Sequence, residues 1–283
     1  MLERLRFEQE LSHLGQGEVF DRDTRARVPI SETLAVPHRW ICRLTIPETS
    51  PNESGYGAGT GVLVGPRHVL TAAHILVSIE DPGKTVGDRL LVQPARNGHD
   101  KPFDPVAVQG WQVNPHWAFR HGKRWRLQPQ HDYGLVTLKE DVSVWGDRRL
   151  GDYQLGYWGA PSRSGEGSEV GFTPSNVTGQ EAFVTGYPGK KSEGTLWTGS
   201  GLITYDRRLR MLLHTIDTKP GQSGAPVWLT RNGVACLVGV HGGASGRWSS
   251  SASGAITLTH NAAVLLTPEV LRQTESWKRT FAR

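Results

Sequence analysis

Gly59-Thr-Gly-Val-Leu-Val-Gly-Pro-Arg-His-Val-Leu-Thr-Ala-Ala-His74 is the stretch that decides how this chain folds. An apolar, partly β-branched run reaches Val64, Gly65-Pro66 supplies a turn, and His68 to Leu70 resumes the run. The pattern reads as a strand, a turn and a second strand. Two alanines then lead to His74, small enough to let its imidazole approach a partner closely.

Runs of the same kind recur on both sides. Before residue 150 they are Trp40 to Ile46, Leu90 to Gln93, Val106 to Val108 and Gly134 to Leu138. After residue 180 they are Glu181 to Thr185, Gly201 to Thr204, Met211 to Ile216, Ala225 to Leu229, Ala235 to Val240 and Ala255 to Leu258. About six strands fall in each half, an all-β pattern of barrels or sandwiches. The composition agrees: 34 Gly and 17 Pro punctuate 283 residues that are 37% hydrophobic and 21% charged, as in a globular chain of short elements and tight turns.

The ends differ from the middle. Residues 1–22 read as a leader or propeptide-like segment, charged at first and then broken by Gly15 and Gly17. Residues 23–150 form a first β unit, and 151–266 a connection and a second. Residues 267–283 form a helix capped by Thr267, with Pro268 in its first turn and Val270, Leu271, Thr274, Trp277 and Phe281 at helical spacing. This helix is expected to pack on the second unit.

The class is bounded by what is missing. No run approaches the ~20 apolar residues of a membrane helix, so no membrane partner is expected. The opening residues lack the apolar core of a signal peptide, and the compartment stays open. Cys42 and Cys236 each lie inside an apolar run, as buried core residues do, and nothing in their spacing requires a bridge. A net charge of +5 favours anions mildly.

Gly221-Gln-Ser-Gly-Ala-Pro226 carries the chemistry. A serine with glycine two before it and one after sits on a turn too tight for side chains, which exposes its hydroxyl and gathers backbone N–H groups. Acyl transfer needs both a nucleophile and donors for the developing oxyanion, here the N–H of Gly221 and of Ser223. Alone, the hexapeptide fits an ordinary Gly-Ser turn as well. His131-Asp-Tyr-Gly-Leu-Val-Thr-Leu138 sets Asp132 at the mouth of an apolar strand, where it is either a turn aspartate or the partner of an imidazole. The order His74, Asp132, Ser223 is one of the known chain orders of a catalytic triad.

In these segments the chain resembles the trypsin-like (chymotrypsin-fold) serine peptidases, in detail the bacterial glutamyl endopeptidase branch. Softer similarities extend it over residues 23 to 277: Asp23-Thr-Arg-Ala-Arg-Val28, Pro37-His-Arg-Trp-Ile-Cys-Arg-Leu, Gly186-Tyr-Pro-Gly189 and Asn261-Ala-Ala-Val-Leu-Leu-Thr-Pro-Glu-Val. The resemblance implies two six-stranded antiparallel barrels, with His74 and Asp132 on the first and Ser223 on the second, acting as a serine endopeptidase on polypeptides. It calls for no metal and no organic cofactor.

The resemblance also implies that Thr218 and His241 line the primary pocket. Both can donate to a carboxylate, so glutamate (or aspartate) before the scissile bond is the expected preference; a pocket for a neutral or small side chain is the alternative. In that branch the mature N-terminal amine helps to bind the acidic side chain, which suggests cleavage near Glu18-Val19. Trp111 to Arg126 mixes bases with aromatics as a nucleic-acid surface would; a solvated loop is the preferred reading, and no nucleic-acid partner is expected. His13, His38, His99, His116 and His260 show no metal-ligand spacing. A monomer is expected. Two other classes stay open, a regulated protease inside the cell and a silent barrel used as a binding scaffold.

Overall fold

The decisive stretch folds as β3 (Gly59–Gly65) and β4 (His68–Thr71), antiparallel, with Leu63 opposite Val69. In the computed structural model, residues 17–47, 59–78, 81–121, 124–160, 168–171, 173–189, 194–248 and 256–281 are described. Around β3 and β4 stand β2 (Ile41–Thr45), β5 (Leu91–Pro94), β6 (Val106–Val113) and β9 (Gly134–Leu138). They close into a barrel in the order β2, β3, β4, β9, β6, β5. Cys42, Leu44, Val62, Val69, Leu70, Val92, Val106 and Leu135 are among the apolar residues buried in its core.

Between β6 and β9 the chain makes a hairpin, β7 (Ala118–His121) with β8 (Arg124–Leu127), where a solvated loop was expected. Trp117 at its base is buried with Leu127 against Ala73 and Val77, and this apolar foot explains the order. Phe119 and Arg120 remain exposed, and the Arg120 guanidinium lies 5.0 Å from the Trp125 ring centroid.

The second barrel contains β11 (Glu181–Gly186), β12 (Trp197–Asp206), β13 (Met211–His214), β14 (Pro226–Arg231), β15 (Val234–Trp248) and β16 (Ile256–Leu265). Its order is β12, β11, β14, β15, β16, β13, and β12 pairs with β13 to close the ring. Val184, Ile203, Leu212, Val227, Val238 and Ala263 are buried in its core. Two short strands join from outside: β1 (Ala26–Arg27) on β12 and the parallel β10 (Ser168–Val170) on β15. Residues 26–27 thus pair with the second barrel although they precede the first. Cys42 and Cys236 are both free and buried.

A four-residue helix, α1 (Pro174–Val177), precedes β11, and α2 (Pro268–Lys278) ends the described chain. The Thr267 side chain accepts from the Val270 N–H, as the capping pattern anticipated. Against expectation, α2 lies on the first barrel. Trp277 packs on Tyr133 with ring centroids 5.7 Å apart, and Lys278 Nζ donates to the Val64 carbonyl at 2.6 Å. The chain leaves β16 at the seam between the barrels, and the apolar stripe of α2 is satisfied across it.

Candidate active site

Asp132 is delivered by a 3-10 turn, Pro129–His131, at the mouth of β9 and is fully buried. Its two oxygens take two protons from one residue: Oδ2 stands 2.7 Å from His74 Nδ1, and Oδ1 accepts the His74 backbone N–H at 3.0 Å. This pair of bonds fixes both the ring and its tautomer, with the proton on Nδ1 and an acceptor lone pair on Nε2. Nε2 is buried and has no hydrogen-bond partner among the described residues, so the Ser223 hydroxyl is not bonded to it here. Such bonds are often long before substrate arrives. A Cβ placed on Gly242 would come within 3.1 Å of Asp132 Oδ2, so β15 of the second barrel covers the carboxylate.

Ser223 sits on the turn between Thr218 and Gly224. Gly221 and Gly224 have φ of 98° and 81°, a region costly for residues with a Cβ. At Gly224 space forbids one as well, since a Cβ would overlap the Thr60 carbonyl and the Thr71 hydroxyl and lie 3.0 Å from the Ala72 nitrogen. The residue after Ser223 is therefore pressed against the segment that leads to His74. Thr60 ties the turn down from the first barrel: its N–H donates to the Ser223 carbonyl and its hydroxyl to the Gly221 carbonyl, each at 2.8 Å. No described residue accepts from the N–H of Gly221 or of Ser223.

Thr218 and His241 both lie beside this turn and are buried. The Gly224 N–H donates to the His241 carbonyl at 2.7 Å. Thr218 Oγ1 and His241 Nδ1 are buried polar atoms without a hydrogen-bond partner among the described residues. Behind them stands a residue with no sequence signal, His214, its ring centroid 5.5 Å from that of His241 and neither ring nitrogen in a well-formed hydrogen bond among the described residues, with the Ile216 backbone nearby. Burial pushes the His214 imidazole down to about 3, and it holds His241 well below the usual range, with His214 and His74 adding smaller effects. Both rings are neutral at ordinary pH.

Residues 17–28 run along the same region. The Glu18 N–H donates to Asn261 Oδ1 at 3.0 Å, and the Glu18 carbonyl accepts from the Thr218 N–H and from Asn261 Nδ2, each at 2.9 Å. Asp217 accepts from the N–H of Phe20 and of Thr24 and from the Thr24 hydroxyl. A Cβ on Gly17 would overlap Thr218 Oγ1. Asn261 and Asp217, which hold this strap, have no role in the sequence reading. The detectable signal was a polar residue inside an apolar strand, as in Thr259-His-Asn-Ala-Ala-Val-Leu265.

Two closed barrels with a histidine–aspartate pair and a glycine-bounded serine at their seam define the architecture of the chymotrypsin-like peptidases. The chain belongs to the family described as the trypsin-like peptidase domain, which matches residues 59–240. It is 28% identical over 267 residues to a glutamyl endopeptidase of Bacillus licheniformis, covering 93% of this chain and 69% of that protein. A protein named extracellular metalloprotease from Bacillus subtilis is 28% identical over 78% of this chain, and a glutamyl endopeptidase of Staphylococcus epidermidis 27% identical over 71%. The chain spans 60% of the length of each of these two curated relatives. Among solved structures, a Glu endopeptidase in complex with MPD superposes with a TM-score of 0.63 at 20% identity, over 93% of this chain and 100% of that one. An inactivated protease paralogue of the scabies mite superposes with a TM-score of 0.56 at 15% identity.

Proposed function

We propose that this trypsin-like serine peptidase cleaves polypeptides through His74, Asp132 and Ser223, with glutamate preferred before the scissile bond. The observation that carries the triad is the buried His74–Asp132 pair, which leaves Nε2 as an acceptor on a segment against which Gly224 is packed at Thr71 and Ala72. Ser223 gives its proton to Nε2 as its oxygen attacks the peptide carbonyl. Asp132 steadies the imidazolium that results. The oxyanion develops between the N–H groups of Gly221 and Ser223. His74 then protonates the leaving amine, and water repeats the sequence on the acyl-enzyme.

The acidic preference is supported by Thr218 Oγ1 and His241 Nδ1, buried polar atoms near the serine turn without partners among the described residues. Unpaired buried donors cost free energy until an acceptor arrives, and a carboxylate is the acceptor that gains most. The glutamyl endopeptidase relatives support the same reading. The competing pocket for a small neutral side chain is favoured by the neutrality of His241, which supplies a donor without a charge.

Cleavage near Glu18-Val19 belongs to this proposal too, because the Glu18 peptide is held against Thr218, where a new amine would reach the pocket. N-terminal sequencing of active enzyme checks it, and a fully active, glutamate-selective protein with Met1 intact removes it. For the triad, a fluorophosphonate probe should label wild type and not Ser223→Ala. An unlabelled wild type favours a silent binding scaffold. Peptide-library cleavage by wild type and His241→Ala tests the pocket, since unchanged acidic selectivity in the variant would refute it.

A further inference from the structure

We infer that Arg25, far from the proposed triad in sequence, is a positioning residue for the oxyanion turn. The inference rests on the proposed roles of Ser223 and the Gly221 and Ser223 N–H groups.

Arg25 lies in the N-terminal strap, and its side chain is 2% exposed. Its stem passes over Gly199 of β12, where a Cβ would come within 3.3 Å of Arg25 Cγ. The guanidinium is held by Asp23 in a bidentate pair, Nε to Oδ1 at 2.9 Å and Nη2 to Oδ2 at 2.8 Å. This fork leaves Nη1 aimed at a single acceptor, Gln222 Oε1, at 2.6 Å. A planar guanidinium pinned by a carboxylate presents its remaining donors in a fixed direction, which a flexible ammonium does not.

Gln222 immediately precedes Ser223 and is fully buried. Its Oε1 also accepts the Lys219 N–H at 3.1 Å, while its own N–H donates to the Lys219 carbonyl at 3.0 Å. The side chain therefore closes the Lys219–Gln222 turn back on itself, and the Gly221 and Ser223 N–H groups are set by that closure. From the other side Thr60 grips the Gly221 and Ser223 carbonyls. Thr60 fixes where those carbonyls point. Arg25 and Gln222 fix the side chain that would otherwise let the peptide planes between residues 219 and 223 rotate. An arginine on the strap thus acts on transition-state stabilisation through one glutamine.

A positioning residue of this kind changes kcat and spares ground-state binding, because the oxyanion donors matter only once the tetrahedral charge forms. Arg25→Ala is expected to lower kcat about 10- to 100-fold, below the full loss of an oxyanion donor, and to leave KM within about twofold. Affinity for a peptide boronic acid, which mimics the tetrahedral adduct, should fall by the same factor as kcat. Guanidinium ion at non-denaturing concentration should restore part of the kcat of Arg25→Ala. Arg25→Lys should lie between wild type and Ala.

Gln222→Met, which removes the acceptor and leaves the strap intact, should reproduce the split and resist guanidinium rescue; it carries the test if Arg25→Ala fails to fold. The inference is overturned if folded Arg25→Ala keeps wild-type kcat and boronate affinity, or if its loss lies in KM alone. It is equally overturned if Gln222→Met keeps wild-type kcat. A wild type that neither cleaves peptides nor labels with a fluorophosphonate would instead sink the triad reading, and this one with it.

Discussion

His214 and His241 stand 5.5 Å apart, ring to ring, inside the second barrel, and both are held neutral by burial. In the unfolded chain each would protonate near pH 6.5. Between that value and the folded value, about 3 for His214, the unfolded chain binds more protons, so stability falls as pH falls. No loss from this source arises above about pH 6.5. Each imidazole contributes a slope of about 1.4 kcal/mol per pH unit in that window. Urea unfolding of His214→Leu between pH 7 and 4.5 should show a shallower acid decline than wild type by about that amount, and equal slopes would count against the burial argument. At the proposed substrate pocket, Thr218→Val should lower kcat/KM for glutamyl substrates by about 10- to 100-fold, the worth of one hydrogen bond to a charge. Neutral substrates should change little, which steady-state kinetics on a matched peptide pair would read. His241 and Thr218 could be proposed from the sequence because each has a position relative to the serine motif. His214 and Arg25 could not: Arg25 gains its meaning only from a glutamine 197 residues away, a contact that no local pattern encodes.

The turn between Thr218 and Gly224 is over-determined as an element. Gly224 has a positive φ, and its α-carbon is closed in by Thr60 and Thr71, so Gly224→Ala adds both strain and overlap. The alanine variant should lose fluorophosphonate labelling at Ser223 by more than tenfold even where circular dichroism shows the barrels intact. Normal labelling would show that the turn tolerates displacement. The C-terminal helix offers a gentler case. Its Thr267 cap is a single side-chain bond to the Val270 N–H, and Thr267→Ala should cost about 1 kcal/mol, read as a fall of ~2–4 °C in Tm for a chain of this size. Strand existence was legible from short β-branched runs, and β9 matches its expected limits, Gly134 to Leu138. Strand ends were not: β12 and β15 run well past the readings Gly201 to Thr204 and Ala235 to Val240, because glycines that punctuate a sequence also ride inside a paired strand. The face on which α2 packs was equally hidden, since periodicity marks a buried stripe without naming its partner.

The two barrels are tied across their seam by side chains that bond to backbone on the far side. Asn97, fully buried in the loop after β5, donates through Nδ2 to the Val28 carbonyl at 2.8 Å and accepts the Leu196 N–H through Oδ1 at 3.2 Å. Its neighbour Gly98 donates to the Gly194 carbonyl at 2.7 Å. Tyr187 of the second half reaches back, its hydroxyl donating to the Ile41 carbonyl at 3.2 Å and its N–H to Thr60 Oγ1 at 3.1 Å. The bonds to Leu196, Gly194 and Ile41 cross between halves that the sequence presents as separate units, and breaking the two Asn97 bonds orphans the buried Val28 carbonyl and Leu196 N–H; the Ile41 carbonyl keeps the Ala95 N–H at 3.0 Å. Losing one such partner costs about 1–3 kcal/mol per orphaned group, so the barrels are expected to unfold together. Tryptophan fluorescence and far-ultraviolet circular dichroism should then trace one coincident urea transition in wild type. Asn97→Ala, which orphans the Val28 carbonyl and the Leu196 N–H at once, should lower the midpoint by a loss of about 2–6 kcal/mol. It should also separate the two probes, because the barrels keep their own cores and lose the link. A variant that unfolds in a single transition at the wild-type midpoint would show that the seam is held elsewhere.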